Sequence, residues 1–203
     1  VDKKNKIAIN SYKKSNFVIE KEIKKNGKKL ILMKRDHVKT KIAIGTAQFG
    51  LKYGIANKTG KVSLNEMKKI KKIALANGVN TVHTAPAYGN SEDRIGKSGY
   101  NNFNLISNLP YLPPAKNRVS WVIRSIRNSL KKLKTRKLYA VFVHNTKFLL
   151  NKDGHQIFNT LLKLKKKGII LKIGVSIYTI DELKKILKKF KIDIVLVPYN
   201  VID

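Results

Sequence analysis

The sequence contains no cysteine. That excludes disulfides and thiolate metal centres, and it fits a reducing cytoplasm, the compartment expected for this chain. Acids are scarce: Asp and Glu number 12 against 44 Lys and Arg, a formal net charge of +32. Aromatics make up 8% of the residues, few for a surface that would hold nucleic acid by stacking bases on rings. No apolar run reaches the roughly 18 residues that would cross a membrane. No Gly-x-Gly-x-x-Gly follows the first predicted strand, which lowers the reading of a dinucleotide-binding doubly wound fold.

What is present is core material. Hydrophobic residues are 42% of 203, enough for one large domain and against wholesale disorder. The positive charge has two readings. One is a polyanionic partner. The other is compositional, because Lys is abundant together with Asn and Ile, whose codons are also rich in A and T. Lysine pairs recur along the whole chain, as at Lys13-Lys14, Lys68-Lys69, Lys131-Lys132 and Lys188-Lys189. Most fall on outer faces of predicted amphipathic helices, which favours the compositional reading. No membrane and no specific nucleic acid is expected as a partner, only salt-sensitive binding to polyanions.

From Lys41 onward apolar runs alternate with amphipathic stretches. "KIAIG", "NTVH", "FNLIS", "LYAVFVH", "LKIGVS" and "IDIVLVP" read as six strands. Helices are predicted between them. Ser63 and Glu66 have capping-box spacing before apolar Met67, Ile70, Ile73 and Ala74, and Thr179 and Glu182 repeat that spacing later. "RVSWVIRSIRNSLKKL" places Val119, Val122, Ile123, Ile126, Leu130 and Leu133 on one side, with Trp121 read as core. "SEDRIGKS" reads as a short helix with acids in its first turn, where the dipole favours them. Near-continuous apolar strands alternating with helices predict an α/β fold with a parallel sheet, either open and doubly wound or a β/α barrel. A complete eight-unit barrel takes about 250 residues.

Residues 1–40 read as a separate N-terminal extension. Asn26-Gly27 between "FVIEKEI" and "KLILMK" signals a hairpin, which would close the barrel, while "NFVIEKEIKK" also suits a short helix. The chain starts with Val1 and both ends look cut, so a piece of a longer protein is expected.

In a parallel barrel chemistry collects at the C-terminal strand ends. Those ends carry Thr46-Ala47-Gln48, His83-Thr84-Ala85, Ser107-Asn108, His144-Asn145, Ser176 and Pro198-Tyr199-Asn200. His83 and His144 are site candidates there, whereas His37 and His155 read as solvated residues. Metal binding is not expected, since no third ligand accompanies the two histidines.

Five segments, "GTAQFGLKYGIAN", "NTVHTAPAYGNSE", "VFVHN", "KKKGIILKIGVSIY" and "IVLVPYNVID", together resemble the aldo-keto reductase family, in order from about Lys41 to Asp203. The resemblance implies a (β/α)8 TIM-type barrel, with about six of its eight strands present in 41–203. It also implies NADPH bound across the C-terminal face and reduction of a small carbonyl compound to an alcohol without a metal. By the same resemblance Tyr88 gives the proton to the carbonyl oxygen and His144 orients the carbonyl. The family places a Lys that lowers the tyrosine's pKa where this sequence has Asn108, and an Asp that holds this Lys where it has His83. Ser176 matches the residue that touches the nicotinamide amide, but the adjoining partners are replaced by Ile177 and Leu196.

A phenol with pKa near 10 is a sluggish acid unless a cation stabilises its anion. Asn108 carries no charge, and burial would lower the pKa of His83 below its usual 6.5 or so. The pair of changes leaves a neutral site with no stranded charge, the pattern of a retired tetrad; the rival reading makes His83 the proton donor. Activity is expected to be weak or lost, and NADPH binding by this fragment to be poor, because the family's later phosphate-binding segments are absent. A non-catalytic barrel scaffold and a polyanion-binding protein are the alternatives. A short stretch, "IAINSYKKSNFVIEKEIKK", resembles the tail of nucleotide-sugar cytidylyltransferases, where a strand precedes a last helix; that would make residues 1 to about 30 the end of a fused upstream domain.

Overall fold

The computed structural model describes residues 1–15, 17–35, 41–111 and 117–200. The chain divides into two compact units, Val1–Lys41 with Ala74–Val79, and Ile42–Ile73 with Asn80–Asp203. His37 and the last residues of "VPYNVID" lie outside the described residues.

The first unit begins with α1 (Lys6–Lys14), capped by Asn5, whose side chain accepts from the Ala8 amide at 2.9 Å. Strands β1 (Phe17–Lys25) and β2 (Lys28–Arg35) follow as an antiparallel hairpin. Asn26 and Gly27 sit at φ 50° and 74°. Two consecutive positive φ values match the strand twist in a two-residue hairpin, and Asn-Gly tolerates them best. The hairpin is therefore formed, and not the short helix over "NFVIEKEIKK". A helix followed by a strand also reverses the strand-then-helix order of the cytidylyltransferase resemblance.

The second unit holds six parallel strands: β3 (Ile44–Gly45), β4 (Thr81–His83), β5 (Asn104–Asn108), β6 (Leu138–Val143), β7 (Ile170–Ser176) and β8 (Ile194–Leu196). Their spatial order is their chain order. A doubly wound sheet would reverse direction at a switch point; this one never does, so it is a barrel arc. Between the strands run α2 (Ala47–Gly50), α3 (Leu64–Ala76), α4 (Ser91–Lys97), α5 (Arg118–Leu133), α6 (Lys147–Leu150), α7 (Gly154–Lys166) and α8 (Ile180–Leu187). The two single-turn helices α2 and α6 follow strand ends and have no periodicity long enough to be legible in sequence.

Interior packing follows the strand alternation. Ile106, Ala140 and Phe142 form one cluster, with Tyr139 and Ile194 against it. Gly174 lets the Phe142 ring approach: a Cβ there would lie 2.5 Å from two ring carbons. Helix α5 buries Val122, Ile126 and Leu133 completely or nearly so, whereas Val119 is 40% exposed and Trp121 is only half-buried. Trp121 is thus not core, because it stands at the margin of the buried stripe. In α3, Met67 is buried but Ile73 is 64% exposed. Gly78 and Gly168 end their helices at φ 72° and 68°, the left-handed stop that glycine allows.

Candidate active site

Strand β4 ends at His83 and β5 at Asn108, and parallel register sets His83 beside Ile106, two residues before Asn108. Period-two alternation turns Ile106 and Asn108 to the same interior face. There His83 Nε2 meets Asn108 Oδ1 at 2.9 Å. An amide oxygen only accepts, so Nε2 is the donor of this bond. The His83 ring also stands edge-on to Phe142, 5.8 Å between centroids, and to Tyr88, 6.2 Å. Tyr88, His83 and Asn108 thus lie near one another at the strand ends. His144 follows β6, exposed, and acts electrostatically on His83.

The electrostatics run against acid catalysis. Burial pushes the His83 pKa below its ordinary value; the Asn108 hydrogen bond opposes this, and His144 adds to it. Burial also raises the Tyr88 phenol, with Tyr53 and Tyr178 contributing in the same direction. Among the described residues no lysine or arginine offsets this at Tyr88. Low dielectric penalises a phenolate.

The loop bearing Tyr88 is clamped from below. A Cβ on Gly50 would fall 1.7 Å from the Tyr88 carbonyl oxygen and 2.6 Å from the Ser91 amide. Gly89 adopts φ +59°, and its Cβ would meet the Gly50 carbonyl at 2.7 Å. Two glycines thus permit a backbone crossing that no other residue would. Ser91 Oγ donates to Thr46 and receives from Thr84, all three being fully buried. Arg94 donates from Nη1 to the Phe49 carbonyl and from Nη2 to the Val62 carbonyl, the latter at 2.5 Å.

Glu92 stands in the first turn of α4, as the sequence reading has it. It is 2% exposed, and its carboxylate accepts from Ser107 Oγ at 2.8 Å. It thereby ties α4 to β5. Thr46 and Thr84 are strand-end residues, whereas Ser91 and Arg94 have no sequence signal beyond the run of small polar residues in "TAPAYGNSE".

Ser176 closes β7, 4% exposed, and among the described residues its Oγ has no hydrogen-bond partner. Buried hydroxyls are almost always paired, so this one keeps unused hydrogen-bonding capacity at the strand end. Ile177 is buried, and its amide donates to the Leu196 carbonyl at 2.9 Å. Among the described residues no three His, Asp or Glu side chains gather as metal ligands. His155 opens α7 with an exposed residue whose ring packs on Phe190 at 5.1 Å, so it lies apart from this site.

The sequence model of the aldo/keto reductase family matches residues 41–202. D-arabinose 1-dehydrogenase of Saccharomyces cerevisiae is 30% identical over 125 residues, 57% of this chain and 37% of that protein. A solved aldo-keto reductase from Pseudomonas aeruginosa superposes with a TM-score of 0.66 at 27% identity, over 79% of this chain and 64% of that one. The Bombyx mori aldo-keto reductase, solved in complex with NADP, shares the fold with a TM-score of 0.58 at 18% identity, over 90% of this chain and 59% of its own. The chain spans less than two thirds of the length of these relatives.

Proposed function

The chain belongs to the aldo/keto reductase family, and from that premise we propose that its strand-end site is a carbonyl-reduction site whose proton donor lacks its activating cation. The reaction class is reduction of a small carbonyl compound to an alcohol with NADPH. The rate is weak or nil. The observation that carries this reading is the neutral pair His83–Asn108, joined at 2.9 Å beside Tyr88.

Tyr88 is the group placed to give its phenolic proton to the carbonyl oxygen, and His144 is the group placed to orient that oxygen. When bound, the nicotinamide supplies a hydride to the carbonyl carbon. Ser176 fits the carboxamide of such a group, because its buried Oγ can both donate and accept and has no protein partner. Ile177 and Leu196 offer hydrocarbon instead of hydrogen bonds on the same side.

The weakness follows from charge. As a proton leaves Tyr88, negative charge grows on a half-buried phenol whose pKa is already raised. A cation within about 4–6 Å would stabilise it. His83 cannot serve at neutral pH, since burial keeps it uncharged. Loss of acid assistance of this kind removes about 10²- to 10⁴-fold in rate. Steady-state NADPH oxidation with a panel of small aldehydes and ketones tests the proposal. Turnover at an ordinary enzymatic rate, about 1–10³ per second, is incompatible with it.

A further inference from the structure

Helix α5 has a second face with no part in this site. Its apolar stripe is buried, yet its outer face carries Arg124, Arg127 and Lys131, with Lys134 at its C-cap, all exposed. The first three are spaced three and four residues apart, so they stack along one side of the helix. Their neighbours line two adjoining grooves that share Asn128: one beside Arg124 and Arg127, the other reaching Lys97 of α4 beside Lys131 and Lys134. The two grooves follow one another along α5 as a shallow trough, and α4 lines the second of them.

The strip lacks the acid partners that single lysines of three other helices have. In α3, Lys69 pairs with Glu66 at 3.3 Å; in α8, Lys184 pairs with Asp181 at 3.7 Å; Lys165 of α7 holds Asp193 at 2.6 Å. The sequence of α5 contains no acid. Among the described residues its four strip cations and Lys97 form no ion pair, and Asp93 is the one acid in the grooves. Compositional drift toward lysine spreads charge evenly; it does not explain arginines in register with lysines along a concave, acid-poor track.

We propose that this trough is a docking surface for the phosphate backbone of a nucleic acid, bound without regard to sequence. Planar guanidinium groups on Arg124 and Arg127 suit bidentate contact with phosphate oxygens, and lysines add point charge. A flat anionic membrane fits less well. The apolar face that a membrane-lying helix would insert is already buried at Val122, Ile126 and Leu133, and a trough admits a strand better than a plane. The proposal stands independently of the reductase reading.

The test is the salt dependence of binding, measured by fluorescence anisotropy with a labelled random-sequence DNA duplex. The unmodified full chain is compared with R124Q/R127Q/K131Q/K134Q and with a charge-matched control, K163Q/K166Q/K167Q/K189Q, at exposed lysines away from the trough. Each phosphate contact contributes about 0.9 to the slope of log K against log salt. The strip variant is expected to lose roughly 3 to 4 from that slope, and the control less than about 1. Equal losses in both variants would mean diffuse charge and overturn the proposal. So would a strip variant whose binding to phosphatidylserine vesicles falls while its duplex binding does not. Lysine acetylation of the unmodified chain gives a readout that needs no variant: duplex should protect Lys97, Lys131 and Lys134 more than Lys163 and Lys166, and uniform protection would refute the site.

Discussion

Restoring charge at the neutral pair is the perturbation that tests the site most directly. The double variant His83→Asp with Asn108→Lys replaces a 2.9 Å imidazole–amide hydrogen bond by a carboxylate–ammonium pair next to Tyr88. Asn108 is only 9% exposed, so each single change strands a charge in a poorly solvated place. Either alone should cost about 3–5 kcal/mol, as broken buried pairs do. Together they should recover part of that cost, a coupling of about 0.5–3 kcal/mol measurable by denaturant unfolding. The new lysine should lower the Tyr88 pKa by about 1–3 units and raise the reduction rate by about 10²- to 10⁴-fold. Three readouts separate the links of this chain of reasoning. Ultraviolet difference titration reports the tyrosine directly. NADPH fluorescence reports cofactor binding. The pH–rate profile should gain a falling limb as Tyr88 deprotonates; the unmodified chain should have none below about pH 10, since its phenol is raised above that ordinary value. A double variant that folds, binds NADPH and titrates at lower pH, yet turns over no faster, would refute the view that the missing cation limits this site.

Three further outcomes are expected. Gly50→Ala drives a methyl into the Tyr88 carbonyl at 1.7 Å; overpacking of this kind costs about 1–3 kcal/mol, read as a drop of about 2–4 °C per kcal/mol in the melting temperature, and an unchanged melt would show that the loop is not clamped there. Ser176→Ala removes a buried hydroxyl that has no partner, so stability should hold or rise by up to about 1–3 kcal/mol while NADPH affinity falls; lost stability would mean that Oγ has a structural partner. His83 has a folded pKa below the unfolded value of about 6.5, so the unfolded chain binds the extra proton first. Its contribution is complete above about pH 6.5 and is lost as pH falls toward the folded pKa; in His83→Gln that part of the decline should vanish, which urea unfolding at stepped pH would check.

The fold was legible where elements declared themselves locally. Ser63 Oγ accepts from the Glu66 amide at 3.1 Å, and Thr179 Oγ1 from the Glu182 amide at 3.3 Å, as the capping spacing predicts. Yet the Glu182 carboxylate reaches the Tyr178 amide and Thr146, not back to Thr179, because a partner from another loop competes for it. Strand lengths were overestimated: "KIAIG" yields a two-residue β3 and "IDIVLVP" a three-residue β8. Apolar runs mark where a strand can be buried, and pairing decides how much of it is one.

Site chemistry divides the same way. The sequence by itself determined which groups are available: a tyrosine, two histidines and an asparagine at strand ends, no cysteine, and no lysine where the family resemblance places one. It determined the parallel order too, since alternating apolar strands and helices admit few chain paths. Only the tertiary structure decided that His83 and Asn108 bond to each other, that Glu92 is buried against Ser107, and that Ser176 Oγ stands alone. It also decided that Lys131 and Lys134 line a groove with Lys97 of α4. Those outcomes depend on distances between residues far apart in the chain, and on the burial that weakens a phenol as an acid and keeps an imidazole neutral; both come into being only when the sheet curls and the loops close over its strand ends.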